Sequence, residues 1–189
     1  MTAMDDNNTY IEITVTDSCN CNCSYCFEGC HHSSVVSNKE IEQKQLQFIE
    51  DYCKSFDKDK HNQFGIGFWG GEPFMNLDFM KELIATTSKY DFVRYHCYSN
   101  GTLVEKYKEF LKLPFIESIK NRINIQLSYD GEPHNTLKRG YSKDNVIAVA
   151  DLLAEANVPF VFKATLAYDM IPHLVDIRSS YLELFDRYP

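Results

Sequence analysis

The sequence predicts an α/β protein built as a partial, TIM-like (β/α) barrel of parallel strands, about five βα units long. Three observations lead there. Short apolar runs alternate with amphipathic stretches in the order strand, then helix. Five such pairs follow one another with no short repeat, low-complexity segment or linker between them. Serial strand–helix pairs close by right-handed crossovers into a parallel sheet with helices outside. Five pairs are also fewer than the eight of a closed barrel, so the sheet is expected to stay open.

The strand-like runs are Tyr10–Thr16, Phe64–Trp69, Val93–Ser99, Ile123–Tyr129 and Pro159–Ala167, all rich in β-branched and aromatic residues. After the first run, Lys39–Phe56 places Ile49, Tyr52, Cys53 and Phe56 on one helical face. Leu77–Tyr90 does the same with Met80, Leu83 and Ile84. Leu103–Leu113 offers Leu103, Tyr107, Phe110 and Leu111, and Lys143–Asn157 offers Val146, Val149, Ala150 and Leu153. A last helix is expected from His173 to about Arg187. Ser37 with Glu40, and Thr102 with Glu105, carry the spacing of a capping box and mark two helix starts.

Composition narrows the function classes. The chain has 189 residues, 44% hydrophobic and 24% charged, which suits one globular domain over residues 1–189. Acidic residues outnumber basic ones 27 to 19, and no Lys/Arg cluster interleaves with aromatics, so a nucleic-acid surface is not expected. MTAMDDNNTY is polar and unlike a signal peptide, and no run approaches the ~20 apolar residues that cross a bilayer. A cytoplasmic setting with reduced thiols is therefore expected. Seven cysteines, an odd number, also fit poorly with a fully paired disulfide framework.

Four unusual loops follow the first four strands: the cysteine loop TDSCNCNCSYCFEGC, then GGEP (70–73), SNGT (99–102) and SYDG (128–131). All fall at the carboxyl ends of strands, where α/β folds assemble their sites. Read as Cys19-x3-Cys23-x2-Cys26, the first loop offers three close thiolates, a donor type suited to Fe–S clusters or zinc. Structural zinc takes four ligands, commonly from two separated pairs, and a second pair is missing here. Three thiolates on a cubane cluster would leave one iron open. Cys21 allows a different ligand set, and Cys30 with His31 and His32 reads as a polar loop before a zinc site or an extension of the cluster loop. Cys53 and Cys97 read as buried small hydrophobes. Taken alone, GGEP and Tyr129-Asp130-Gly131 would be turns, and Arg139 a surface charge. The aromatics, Phe68, Trp69, Phe74, Tyr95 and Tyr98 among them, are expected to be mostly core, and the sequence does not sort out which of them line a substrate cavity.

In its form T-x-x-C-N-x-x-C-x-Y-C-F, the loop resembles that of the radical S-adenosylmethionine (SAM) enzymes. It is most similar to their peptide- and protein-modifying branch, which includes the anaerobic sulfatase-maturating enzymes, and the likeness runs from the first strand to the fifth. The resemblance implies a [4Fe–4S] cluster on Cys19, Cys23 and Cys26, with SAM on the open iron. It implies an enzyme that cleaves SAM reductively to a 5′-deoxyadenosyl radical, which takes hydrogen from a substrate. By the same resemblance Tyr25 lies near the adenine, and Gly70, Gly71 and Glu72 meet the SAM amino group. Ser128 contacts the ribose, Arg139 faces the carboxylate one residue short of the family spacing, Asn100 shapes the rim, and Leu166 packs on the adenine. An electron donor such as flavodoxin or ferredoxin is implied, with a peptide or protein as substrate. A small metabolite or nucleotide substrate is the alternative, and a non-catalytic metal-binding or regulatory protein of the same fold a further one. The family barrel has six units, and its maturases continue into a domain with auxiliary-cluster cysteines. Here about five units are visible and no cysteine follows Cys97. The expectation is a fragment, or a minimal member whose open side a partner or second subunit closes.

Overall fold

Asn8–Thr16 (β1), Gln63–Gly70 (β2), Val93–Ser99 (β3), Ile123–Ser128 (β4) and Phe160–Lys163 (β5) form one sheet in sequence order. Every pairing is parallel. The structure, a computed structural model, describes residues 8–26 and 36–188. The helices are Lys39–Ser55 (α1), Leu77–Thr87 (α2), Val104–Leu111 (α3), the single turn Ile116–Ile119 (α4), Lys143–Glu155 (α5) and Leu174–Arg187 (α6). Among the described residues β1 and β5 are the two edges, so the sheet is an open, partial barrel.

Strand alternation divides the sheet into two unlike faces. Ile13, Phe68, Cys97, Ile125 and Phe160 stand side by side across all five strands, and they point to the helices. Ile49 and Cys53 of α1, Met80, Leu83 and Ile84 of α2, Tyr107 and Phe110 of α3, and Val146, Val149, Ala150 and Leu153 of α5 are buried in the same core. Burying one such large side chain is worth about 1.5–3 kcal/mol, so the apolar stripes settle which face the helices cover. The neighbouring row, Glu12, Gly67, His96 and Asn124, belongs to the opposite, inner face and is polar. Phe68, Phe74 and Tyr95 are core, whereas Trp69 and Tyr98 are half-buried and meet edge to face at 4.9 Å.

Three local expectations are corrected. The fifth strand ends at Lys163 and not at Ala167, because the N–H of Thr165 leaves the ladder and donates to Asp130 Oδ1 at 2.9 Å. The cap of α1 is Asn38, whose side chain accepts from the Ile41 N–H at 3.3 Å. The Ser37 hydroxyl is instead drawn to the buried Glu42, donating to its Oε1 at 2.7 Å. Thr102 caps nothing either. Its N–H and hydroxyl both donate to Asn100 Oδ1, at 3.0 and 2.6 Å, and α3 starts one residue later without a side-chain cap. The last helix is preceded by a 3₁₀ turn over Tyr168–His173.

Candidate functional site

The carboxyl ends of β1 to β4 carry all four loops singled out in the sequence. The turn after β2 runs alongside the beginning of the cysteine loop. The Gly71 N–H donates to the Thr16 carbonyl and the Glu72 N–H to that of Ser18, both at 2.8 Å. The contact is close enough to require glycine twice. A Cβ on Gly70 would stand 2.2 Å from the Thr16 carbonyl oxygen, and one on Gly71 2.2 Å from that of Ser18. Gly70 also holds φ at +120°, a region glycine reaches without steric cost. These glycines therefore seat one backbone on another.

That seating delivers Glu72 to the rim, buried. Its Oε1 accepts from the Ser99 hydroxyl at 2.8 Å and the Phe74 N–H at 3.2 Å, and its Oε2 from the Asn100 N–H at 2.7 Å. Among the described residues, three donors leave one of the carboxylate's roughly four acceptor positions open. Burial raises its pKa to about 7, against the pull of those hydrogen bonds. Behind it, Asn76 donates to the Val15 carbonyl at 3.1 Å and to Glu42 Oε1 at 2.8 Å. This contact ties α1 to the end of β1. Burial pushes the Glu42 carboxyl up, but bonds from Lys39, Ser37 and Asn76 bring it below its ordinary value.

Asn100 connects this turn to the cysteines. Its amide nitrogen lies 2.9 Å from Asn20 Oδ1 and 3.9 Å from the Cys19 sulfur. Asn20 in turn donates to the Thr102 hydroxyl at 2.7 Å, and the Cys21 sulfur lies 4.0 Å from that hydroxyl. Cys21 thus faces the rim of β3, and the Cys21 N–H donates to the Cys19 sulfur at 3.4 Å. Contact with the Cys19 thiol and burial push the Cys21 thiol up. Burial also raises Cys23, opposed by the Arg139 guanidinium.

On the other side, Arg139 ends a π-helical turn, Asn135–Arg139, that the sequence did not reveal. It forks onto Asp130, with Nε to Oδ2 at 2.8 Å and Nη2 to Oδ1 at 3.0 Å, and both residues are buried. The Tyr25 hydroxyl donates to the same Oδ2, and the Tyr25 ring lies over the guanidinium at 5.4 Å. The Tyr141 hydroxyl donates to the Ser128 carbonyl at 3.1 Å. Ser128 is half-buried at the end of β4 beside Lys163, and Leu166 is 55% exposed beyond β5. Cys30, His31 and His32 lie outside the described residues. Cys53 and Cys97 are buried, as the sequence suggested. Sequence reading missed Asp130, Ser99 and the Glu42–Asn76 pair. An aspartate two residues after Ser128 was visible, but its partners are distant in the chain.

The donor set fits an iron–sulfur cluster. Cys19 and Cys23 are partly exposed and Cys26 is exposed, and none of the three is in a disulfide among the described residues. Among the described residues no three His, Cys, Asp or Glu side chains converge on one ion. No helix among the described residues is long and apolar enough to cross a membrane.

Residues 13–177 match the family model described as the Radical SAM superfamily. The chain is 27% identical over 192 residues to the radical SAM cyclopropyl synthase TigE of Paramaledivibacter caminithermalis, covering 90% of this chain and 39% of TigE. It is 32% identical over 117 residues to a probable GTP 3',8-cyclase of Methanocella arvoryzae, covering 62% of this chain and 33% of that protein. Its fold is similar to that of anSMEcpe, an anaerobic sulfatase-maturating enzyme solved with AdoMet and a Kp18Cys peptide. The TM-score is 0.70 at 21% identity, over 93% of this chain and 48% of the other. The chain thus spans less than half the length of each.

Proposed function

The chain belongs to the radical SAM superfamily of enzymes, and on that premise we propose that Cys19, Cys23 and Cys26 hold a [4Fe–4S] cluster with SAM beside it. When bound, the pair would supply reductive cleavage of the sulfonium bond and a 5′-deoxyadenosyl radical able to take hydrogen from a substrate. The chain's own residues bind and orient. Glu72 has one acceptor position left for the SAM ammonium, and Gly70 and Gly71 hold it against the cysteine loop. Ser128 takes the ribose and Arg139 attracts the carboxylate. Tyr25 and Leu166 flank the adenine, and Asn100 fixes the rim between Glu72 and Cys19. Residues 1–189 act as one core domain. Reduction requires an electron donor, proposed to be a flavodoxin or ferredoxin, and the outer edge of β5 is where a partner chain would close the sheet.

The observation that carries this reading is the contact of Asn100 with both the Glu72 carboxylate and the Cys19 sulfur, which joins the two halves of the site. Anaerobic reconstitution should give a brown protein with an EPR-active reduced cluster, and that protein should release 5′-deoxyadenosine from SAM. Tight zinc binding without iron, or no SAM cleavage, would overturn it.

For the substrate we propose a peptide or protein. The inner face supports this reading by its chemistry. Its strand Lys and Arg side chains among the described residues are Lys163 and Arg94, with Arg122 beside Arg94 in the same cavity; Arg94 Nη1 donates to the carbonyls of Asp91 and Val93, and Arg122 to those of Tyr90 and Ser88. Glu12 adds a negative charge to the same face. A nucleoside triphosphate would ask for an arginine cluster or a glycine-rich nest of free N–H groups, whereas Gln126, Asn124, Thr14, Trp69 and Tyr98 suit the amides and side chains of a peptide. The likeness to a GTP cyclase supports the second reading, a nucleotide. Supplying GTP and candidate peptides separately decides between them by which one raises deoxyadenosine release above background.

A further inference from the structure

We infer that Asp130 is the positioning residue that fastens the cysteine loop to the carboxyl edge of β4 and β5 and sets the direction of Arg139 and Tyr25. The inference rests on the SAM-binding reading above. Asp130 is wholly buried, and its two oxygens take four donors. Oδ2 accepts from the Tyr25 hydroxyl and Arg139 Nε, and Oδ1 from Arg139 Nη2 and the Thr165 N–H. A carboxylate has roughly four acceptor positions, so this one is saturated and acts through its neighbours.

Those neighbours are the ones the site needs. Arg139 presents a rigid fork, and once Nε and Nη2 are committed to Asp130 its remaining edge points one way. Tyr25 sits between Ser24, whose N–H donates to the Lys138 carbonyl at 2.8 Å, and Cys26, whose N–H donates to the Cys23 carbonyl at 3.0 Å. The segment carrying two of the three cysteines is thus joined to residues 138–139 at the backbone and to Asp130 by the Tyr25 side chain. Through the Thr165 N–H, the same carboxylate also holds the chain leaving β5. Neutralising it leaves a buried guanidinium without its counter-charge and releases the tyrosine.

Asp130→Asn keeps the shape and removes the charge. In the apoprotein, hydrogen exchange at the Ser24 and Cys26 amides should quicken about tenfold, while the β2 and β3 amides stay unchanged. In reconstituted protein at matched iron content, the SAM dissociation constant from equilibrium dialysis should rise at least tenfold. Because Asp130 acts through Arg139, the double variant Asp130→Asn/Arg139→Met should bind SAM no worse than the weaker single one. A purely structural role would lower the melting temperature while leaving the dissociation constant unmoved, and that result, or full additivity, overturns the inference. If Asp130→Asn does not fold, Tyr25→Phe removes one hydroxyl and faces the same criteria. A wild-type protein that binds no SAM defeats the functional reading instead, and amide exchange then decides the fastening by itself.

Discussion

The N–H of Asn100 donates to Glu72 Oε2 at 2.7 Å, so the third strand's loop holds the carboxylate delivered by the second. With the Ser99 hydroxyl and Phe74 N–H on the other oxygen, the group is buried and its pKa stands near 7 against an ordinary 4.5. A carboxyl whose folded pKa is raised binds its proton more tightly when folded. Its stabilisation is fully present below about pH 4.5 and is lost as pH rises through about 7. In urea denaturation of the apoprotein, wild type should lose stability relative to Glu72→Gln between pH 5 and 8, by an amount of order 3 kcal/mol. A gap that stays constant over that range would mean Glu72 does not titrate there.

The cysteines divide by what they touch. Cys21 faces the Thr102 hydroxyl, while Cys23 and Cys26 flank Tyr25 at the Asp130–Arg139 side. Cys23→Ala should reconstitute with little iron and release no deoxyadenosine, and Cys21→Ala should keep most of both. Equal losses in iron analysis and SAM cleavage would assign Cys21 to the ligand set.

Gly71→Ala tests the seating of the Glu72 turn. The new Cβ meets a backbone oxygen, that of Ser18, at 2.2 Å, and no rotamer change relieves it. A loss of about 2–3 kcal/mol in apoprotein stability is expected, from the upper part of the usual range for single substitutions. Iron uptake should also fall, since the residue displaced is next to Cys19. A variant as stable as wild type would show that the turn can lift from the loop without cost.

Legibility in the sequence followed the distance over which each feature is encoded. The strands that carry Ile13 and Ile125 were readable because their β-branched and aromatic runs are local, Cys97 was readable as buried, and the Val146–Leu153 face because its helical period is local, whereas Phe68 was not sorted between core and cavity. The clustering of Cys19, Cys23 and Cys26 was visible within one loop, and the role proposed for them comes from the resemblance. Asp130 was not, since its partners Tyr25, Arg139 and Thr165 lie 105, 9 and 35 residues away, and only the folded sheet brings them together. The cap of α1 failed for a similar reason. Ser37 had the right spacing to Glu40, but a long-range contact had already buried Glu42 against Asn76, and Glu42 drew the hydroxyl away. The fifth strand was read too long because Phe160–Lys163 and the residues after it look alike in hydrophobicity, and a side-chain acceptor ends the ladder.

The inner face makes its own prediction. His96 stands in one row with Glu12 across Gly67, and Lys163 acts on it from β5. Burial lowers the His96 pKa, Lys163 lowers it further, and Glu12 opposes both, with the net effect below 6.5. The imidazole is therefore neutral at pH 7 and offers one donor and one acceptor to whatever occupies the face. In an NMR titration of the apoprotein, Lys163→Met should raise the His96 pKa and Glu12→Gln should lower it. If the substrate lies on this face, His96→Phe should also weaken substrate-dependent deoxyadenosine release and leave background SAM cleavage intact. A His96 pKa that ignores both neighbours would mean the three groups do not share one cavity, and the support this face gives to a peptide substrate would go with it.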